Sequence, residues 1–98
     1  MKFSIKYHKV FKKDLKPFKN DSALIAELRA VIEKLANDEI LEPKYKDHAL
    51  KGDFIGTREC HIKGDALLIY EKKRKWAYFT LLTLWFALKA RAKIKAKF

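Results

Sequence analysis

The chain holds one cysteine, one methionine, two prolines and three glycines in 98 residues. A single cysteine cannot staple a fold internally, so no disulfide framework stands in for a core, and the usage fits a reducing cytoplasm. No apolar run approaches the roughly 20 residues that a membrane helix requires, and the N-terminus lacks the apolar stretch of a signal peptide. No membrane partner is therefore expected. Repeats, low-complexity segments and Gly/Ser/Pro linkers are missing too, which points to one small domain. An apolar content of 49% with 13% aromatics supplies its core, burying about two-thirds of the surface the unfolded chain would expose.

Acidic residues are the other scarcity, 12 against 23 Lys and Arg, for a net charge of +11. Residues 1–20 carry seven lysines against Asp14, a net of +6, and residues 66–98 carry nine basic residues against Glu71, a net of +8. The middle, 21–65, is slightly acidic at −3. Two basic ends that met in space would form one patch suited to a polyanion, most often nucleic acid, or to an acidic protein.

Period-two alternation puts Phe3, Ile5 and Tyr7 on one face of a strand. Val10, Phe11, Asp14, Leu15 and Phe18 then recur at helical spacing, and Pro17 should end or distort that helix near Lys16. Asn20, Asp21 and Ser22 offer N-cap oxygens to a second helix with the stripe Ile25, Leu28, Val31, Ile32 and Leu35. It should stop near Asn37–Asp38, before a long connection over 38–53 in which Pro43 blocks helix and Tyr45 can serve as an anchor. Strands are expected at 54–62, 65–72 and 75–84, with Lys72–Lys75 as the last turn. Strand, helical hairpin and three successive strands make an α+β fold, with helices on one face of a mainly antiparallel sheet. From Phe86 onward even positions are apolar, and from Lys89 onward odd positions are basic, so residues 85–98 read as an atypical basic C-terminal extension of a domain spanning 1–84.

Unusual chemistry is concentrated between Lys44 and Tyr70, which hold two of the three histidines, the cysteine and all three glycines. On a strand His61 faces away from Cys60 and Ile62, hence towards the open side of the sheet if those two are core. Arg58 shares the parity of Cys60 and so opposes His61. Cys60 reads as a small buried hydrophobe. Zinc is disfavoured because adjacent Cys60 and His61 diverge on a strand and no C-x-x-C spacing exists. Asp65 lies in a Gly-Asp turn, where turn chemistry is its ordinary use.

The elements Lys44-Tyr45-Lys46-Asp47-His48, Leu50-Lys51-Gly52, Gly56-x-Arg58-Glu59-Cys60-His61-Ile62 and Leu67-Leu68-Ile69-Tyr70 resemble the YafQ-type branch of the RelE/ParE toxin superfamily. With the upstream strand and helices, the resemblance covers roughly residues 1–84. It implies a small basic endoribonuclease that cuts mRNA in the ribosomal A site, needs no cofactor or metal, and is neutralised by an antitoxin protein. It assigns His48, His61 and Asp65 to the catalytic set, and RNA contacts fall to Arg58, Lys44, Lys46 and Lys51. The implied reaction is attack of a ribose 2′-OH on the adjacent phosphate, with imidazoles as base and acid.

Two positions depart from the family pattern. Ala66 stands where a tryptophan follows the aspartate. The Gly-[Ser/Thr]-His element that ends the last strand is replaced by Thr83-Leu84-Trp85-Phe86-Ala87-Leu88, so no histidine follows His61, and weakened catalysis or a purely binding role is expected. Trp-Phe-Ala-Leu codons read one base later begin with glycine and permit serine and histidine next. A one-base insertion after Leu84 would thus account for both the ending and the Ala/Lys tail, which the codons of the source gene can test.

Overall fold

A computed structural model describes residues 2–86, with backbone only at Phe86. Strand β1 (Ser4–Tyr7) leads into helix α1 (Lys9–Leu15), whose first turn is capped by His8, its Nδ1 accepting the Val10 N–H at 3.1 Å. Pro17 turns the chain through a single 3-10 turn at Lys16–Phe18. Asp21 then caps α2 (Ser22–Ala36) by accepting the Leu24 N–H at 3.2 Å. These are the helix ends the prolines and cap residues foretell.

The other strands are β2 (His48–Ala49), β3 (Arg58–Lys63), β4 (Ala66–Lys73) and β5 (Tyr78–Phe86), in the sheet order β1-β5-β4-β3-β2. Among the described residues only the β1–β5 pair is parallel. The fold is α+β with a mainly antiparallel sheet, as expected, but several boundaries move. The strand expected from residue 54 starts at Arg58, because Gly52–Phe54 forms a 3-10 turn and Gly56 takes φ 93°. The strand expected from residue 75 starts at Tyr78, because Arg74–Trp76 turns tightly and closes on Ala77 at φ 52°. β5 runs past the expected boundary at Leu84 to Phe86. The rest of the expected extension, residues 87–98, lies outside the described residues.

Both helices cover one face of the sheet. Phe11, Leu24, Leu28, Val31 and Leu35 pack there on Cys60, Ile62, Leu68, Tyr70, Phe79, Leu81 and Leu84. A second, smaller cluster lies on the opposite face, where Leu67, Ile69 and Trp85 are covered by Leu50, Phe54 and Leu82. This is why every residue from Ala66 to Tyr70 is buried: β4 is sandwiched between the helices and the loop before β3. Beyond the reach of β1, the free edge of β5 is met by Asp14 of α1, whose carboxylate accepts the Leu84 N–H at 3.2 Å and the Thr83 hydroxyl.

The C-terminus of α2 is tied to the sheet by Asp38, which takes a left-handed φ of 58° and pairs with Lys72 and Arg74, each at 3.1 Å. Arg74 and then Lys72 hold its carboxyl below the ordinary range. A depressed carboxyl pKa stabilises the fold above the unfolded value near ~4 and ceases to do so as the pH falls through the folded value. Asp38→Asn, which tolerates the same backbone, should lower Tm at neutral pH. In thermal melts across the acid range the gap to the parent should close as the pH falls through the depressed pKa of the folded carboxyl.

Candidate functional site

The loop before β3 is built by three anchors. Tyr45 is buried in a 3-10 turn at Pro43–Tyr45, and its hydroxyl donates to Glu27 of α2 at 3.0 Å. Lys46 then takes φ 48° and redirects the chain. Asp47 accepts from Arg58 at 3.2 and 3.4 Å and from the Tyr70 hydroxyl at 2.7 Å. The result is β2, two residues long, laid on the edge of β3 with His48 opposite Glu59 and Ala49 opposite Arg58. A strand this short has no period-two pattern to read, which is why the sequence shows only a long connection.

This pairing brings together His48, Glu59 and His61. Cys60 and Ile62 are buried under the helices, so Glu59 and His61 face the open side, about 7 Å apart along the strand. His48 Nδ1 lies 2.7 Å from the Lys46 carbonyl. A carbonyl only accepts, so Nδ1 carries the proton and donates, leaving Nε2 directed at Glu59. Nε2 and Glu59 Oε1 are 3.5 Å apart, and the Glu59 side chain is only 16% exposed. At that distance Glu59 is a charge neighbour rather than a close hydrogen-bond partner. Sequence patterns do not single out Glu59; only the pairing of β2 with β3 discloses it.

The other expected residues spread further. Asp65 sits exposed in the β3–β4 turn, about 7–10 Å beyond His61 along the strand and about 13–17 Å beyond the level of His48, near Lys63, Phe18 and Asp21. Lys46 and Lys51 are exposed on the loop around His48, whereas Lys44 lies at the α2 side with its Nζ 5.0 Å over the Tyr45 ring. Arg58 faces the helix side, as its parity requires, and does not join the histidines. Its guanidinium is held by Asp47, which also raises its pKa. With Asp47, Tyr70, Lys72, Arg74 and Asp38 it lines a cleft of about 760 Å³. Burial pushes the Cys60 thiol up to about 12, so it is a core side chain and not a nucleophile.

Removing Asp47 would leave the buried Tyr70 hydroxyl without its acceptor. Asp47→Ala should cost about 1–3 kcal/mol in denaturant unfolding, and adding Tyr70→Phe should restore part of it by removing the orphaned donor.

A strand, helical hairpin and mainly antiparallel sheet in this order make the fold of the YafQ-like toxins. The sequence model of the family described as "Bacterial toxin of type II toxin-antitoxin system, YafQ" matches residues 3–87, and the chain belongs to that family. A Haemophilus influenzae protein named for the toxin YafQ is 39% identical over 70 residues, covering 68% of this chain and 69% of that protein. A metal-bound toxin from Helicobacter pylori superposes with a TM-score of 0.79 at 38% identity, covering 89% of this chain and 97% of that one. YafQ in the Escherichia coli DinJ–YafQ complex superposes at 0.77 with 25% identity, covering 89% and 96%. Among the described residues no three His, Cys, Asp or Glu side chains stand together as a metal-ligand set.

Proposed function

We propose that this type II toxin is a ribosome-dependent mRNA endoribonuclease working by acid–base catalysis. The observation that carries the reading is the placement of His48 and His61 on one open face, with the proton of His48 fixed on Nδ1 by the Lys46 carbonyl. His48 Nε2 takes the proton of a ribose 2′-OH, the 2′-oxygen bonds to the adjacent phosphorus, and the bond from phosphorus to the 5′-oxygen breaks. His61 supplies the proton to the departing 5′-oxygen. Lys46 and Lys51 offset the charge of the crowded phosphate. Glu59 faces the charge that His48 acquires. Arg58 acts as the anchor of the loop that presents His48. The products should carry 2′,3′-cyclic phosphate and 5′-hydroxyl ends. Programmed ribosomes incubated with the toxin test this directly: a 2′-deoxy substitution at the cut position should abolish cleavage.

The protein partner is proposed to be a cognate antitoxin, by analogy with the E. coli relative solved with DinJ. The net charge of +11 favours an acidic docking segment. Stoichiometric co-purification with an acidic product of the neighbouring gene is expected, together with relief of toxicity.

A second reading, a member that binds antitoxin, ribosome or nucleic acid without cutting, is favoured by one observation: no histidine follows His61 in the chain. Growth arrest that persists in a His48→Ala, His61→Ala variant would support it.

A further inference from the structure

The open face of the sheet does not end at the histidines. Phe79 and Leu81 are fully buried against the helices, so Tyr78 and Thr80 point to the open side. Tyr70 and Lys72 take the helix side of β4, Lys72 reaching Asp38 and lying over the Phe3 ring, so Glu71 and Lys73 also face the open side, 3.6 Å apart. Register sets Lys73 beside Tyr78, and Tyr78 beside Ser4 of β1. Lys6 then folds its ammonium over the Tyr78 ring at 4.0 Å. At the tip of the same hairpin, Trp76 is 67% exposed with Lys75 Nζ 5.3 Å from its ring centre. An indole so exposed keeps a ring face open to solvent. The corner thus carries Lys6, Lys73 and Lys75 around two aromatic rings, with Glu71 as the carboxylate on that face; Asp38 is engaged on the other. It lies about 13 Å along β4 from Ile69, the partner of Glu59.

We propose that this corner is a second RNA contact, binding an unpaired nucleotide flanking the cut, with its base stacked on Trp76 and its phosphates on Lys6, Lys73 and Lys75. The inference rests on the RNA reading above. Cations alone would suit an acidic peptide equally. An exposed ring set among them suits the alternation of base and phosphate in a single strand, where stacking supplies sequence-tolerant affinity. Continuity with the histidine face supplies the direction from which such a strand arrives.

Trp76 and Trp85 are the only tryptophans, and Trp85 is 2% exposed, so quenchable emission reports on Trp76. A short single-stranded 2′-O-methyl oligoribonucleotide, which cannot be cut, should quench that emission. Trp76→Ala should remove the quenching and weaken binding about tenfold, while Trp76→Phe should keep most of the affinity. Lys6→Ala and Lys75→Ala should each reduce the slope of log affinity against log salt by about one. Parental affinity in Trp76→Ala overturns the proposal, as does quenching by polyglutamate but not by RNA. If the parent cleaves mRNA on ribosomes while Trp76→Ala binds the oligonucleotide equally well, only this inference falls. If the parent neither binds the oligonucleotide nor cleaves, the RNA reading falls and takes this one with it.

Discussion

Replacing His48 and His61 together by alanine should abolish growth arrest and reduce ribosome-dependent cleavage to background. General acid and base groups typically contribute about 10²–10⁴-fold each, and the two imidazoles occupy the one face where a strand of RNA can reach both. Neither side chain belongs to the core: His48 is exposed and His61 half-buried. The double variant should therefore melt close to the parent, which separates lost chemistry from lost fold. The single variants should show unequal defects. His48→Ala also forfeits the contact to the Lys46 carbonyl that shapes the loop, while His61→Ala leaves the strand pairing intact. Cleavage at the parental rate in the double variant would assign the chemistry elsewhere.

The second large effect concerns Trp85, which stands where the family pattern places its terminal glycine-containing element. The indole packs edge-on against Phe54, with ring centres 5.3 Å apart and planes at 83°, and forms the second cluster with Leu67 and Ile69. Trp85→Ala should destabilise by about 3–5 kcal/mol, each kcal/mol lowering Tm by roughly 4–8 °C in a domain of this size. It should also release the Leu50–Phe54 segment that follows β2, so activity should fall with stability. Restoring a Gly-Ser-His ending at 85–87 would remove the same indole and confound the two effects. Ala87→His alone tests the missing histidine. If that position supplies the family's further proton-transfer group, cleavage should rise by about 10²-fold or more. Equal rates would make a terminal histidine dispensable in this chain.

Much of this was legible in the sequence. Pro17, Asp21 and the 3.6-residue stripe set the helices, because capping and steric exclusion act within a few residues. Strand parity placed His61 opposite Cys60 and Arg58, because side chains alternate wherever a strand stays regular. The run of spaced motifs from Lys44 to Tyr70 was enough to indicate the family.

Tertiary structure alone decided what surrounds the candidate histidines. β2 is two residues long, and it exists because Asp47, Arg58 and Tyr70, 11 and 23 residues from Asp47, meet and pin the loop beside β3. Only that pairing sets Glu59 against His48, and only the same network holds Arg58 against Asp47 as an anchor of the loop. Trp85, met in the sequence as a departure from a motif, became a core residue because Phe54 folds over it from across the sheet. Local patterns report on neighbours in the chain. The histidine face is made by residues that become neighbours only when the sheet is assembled.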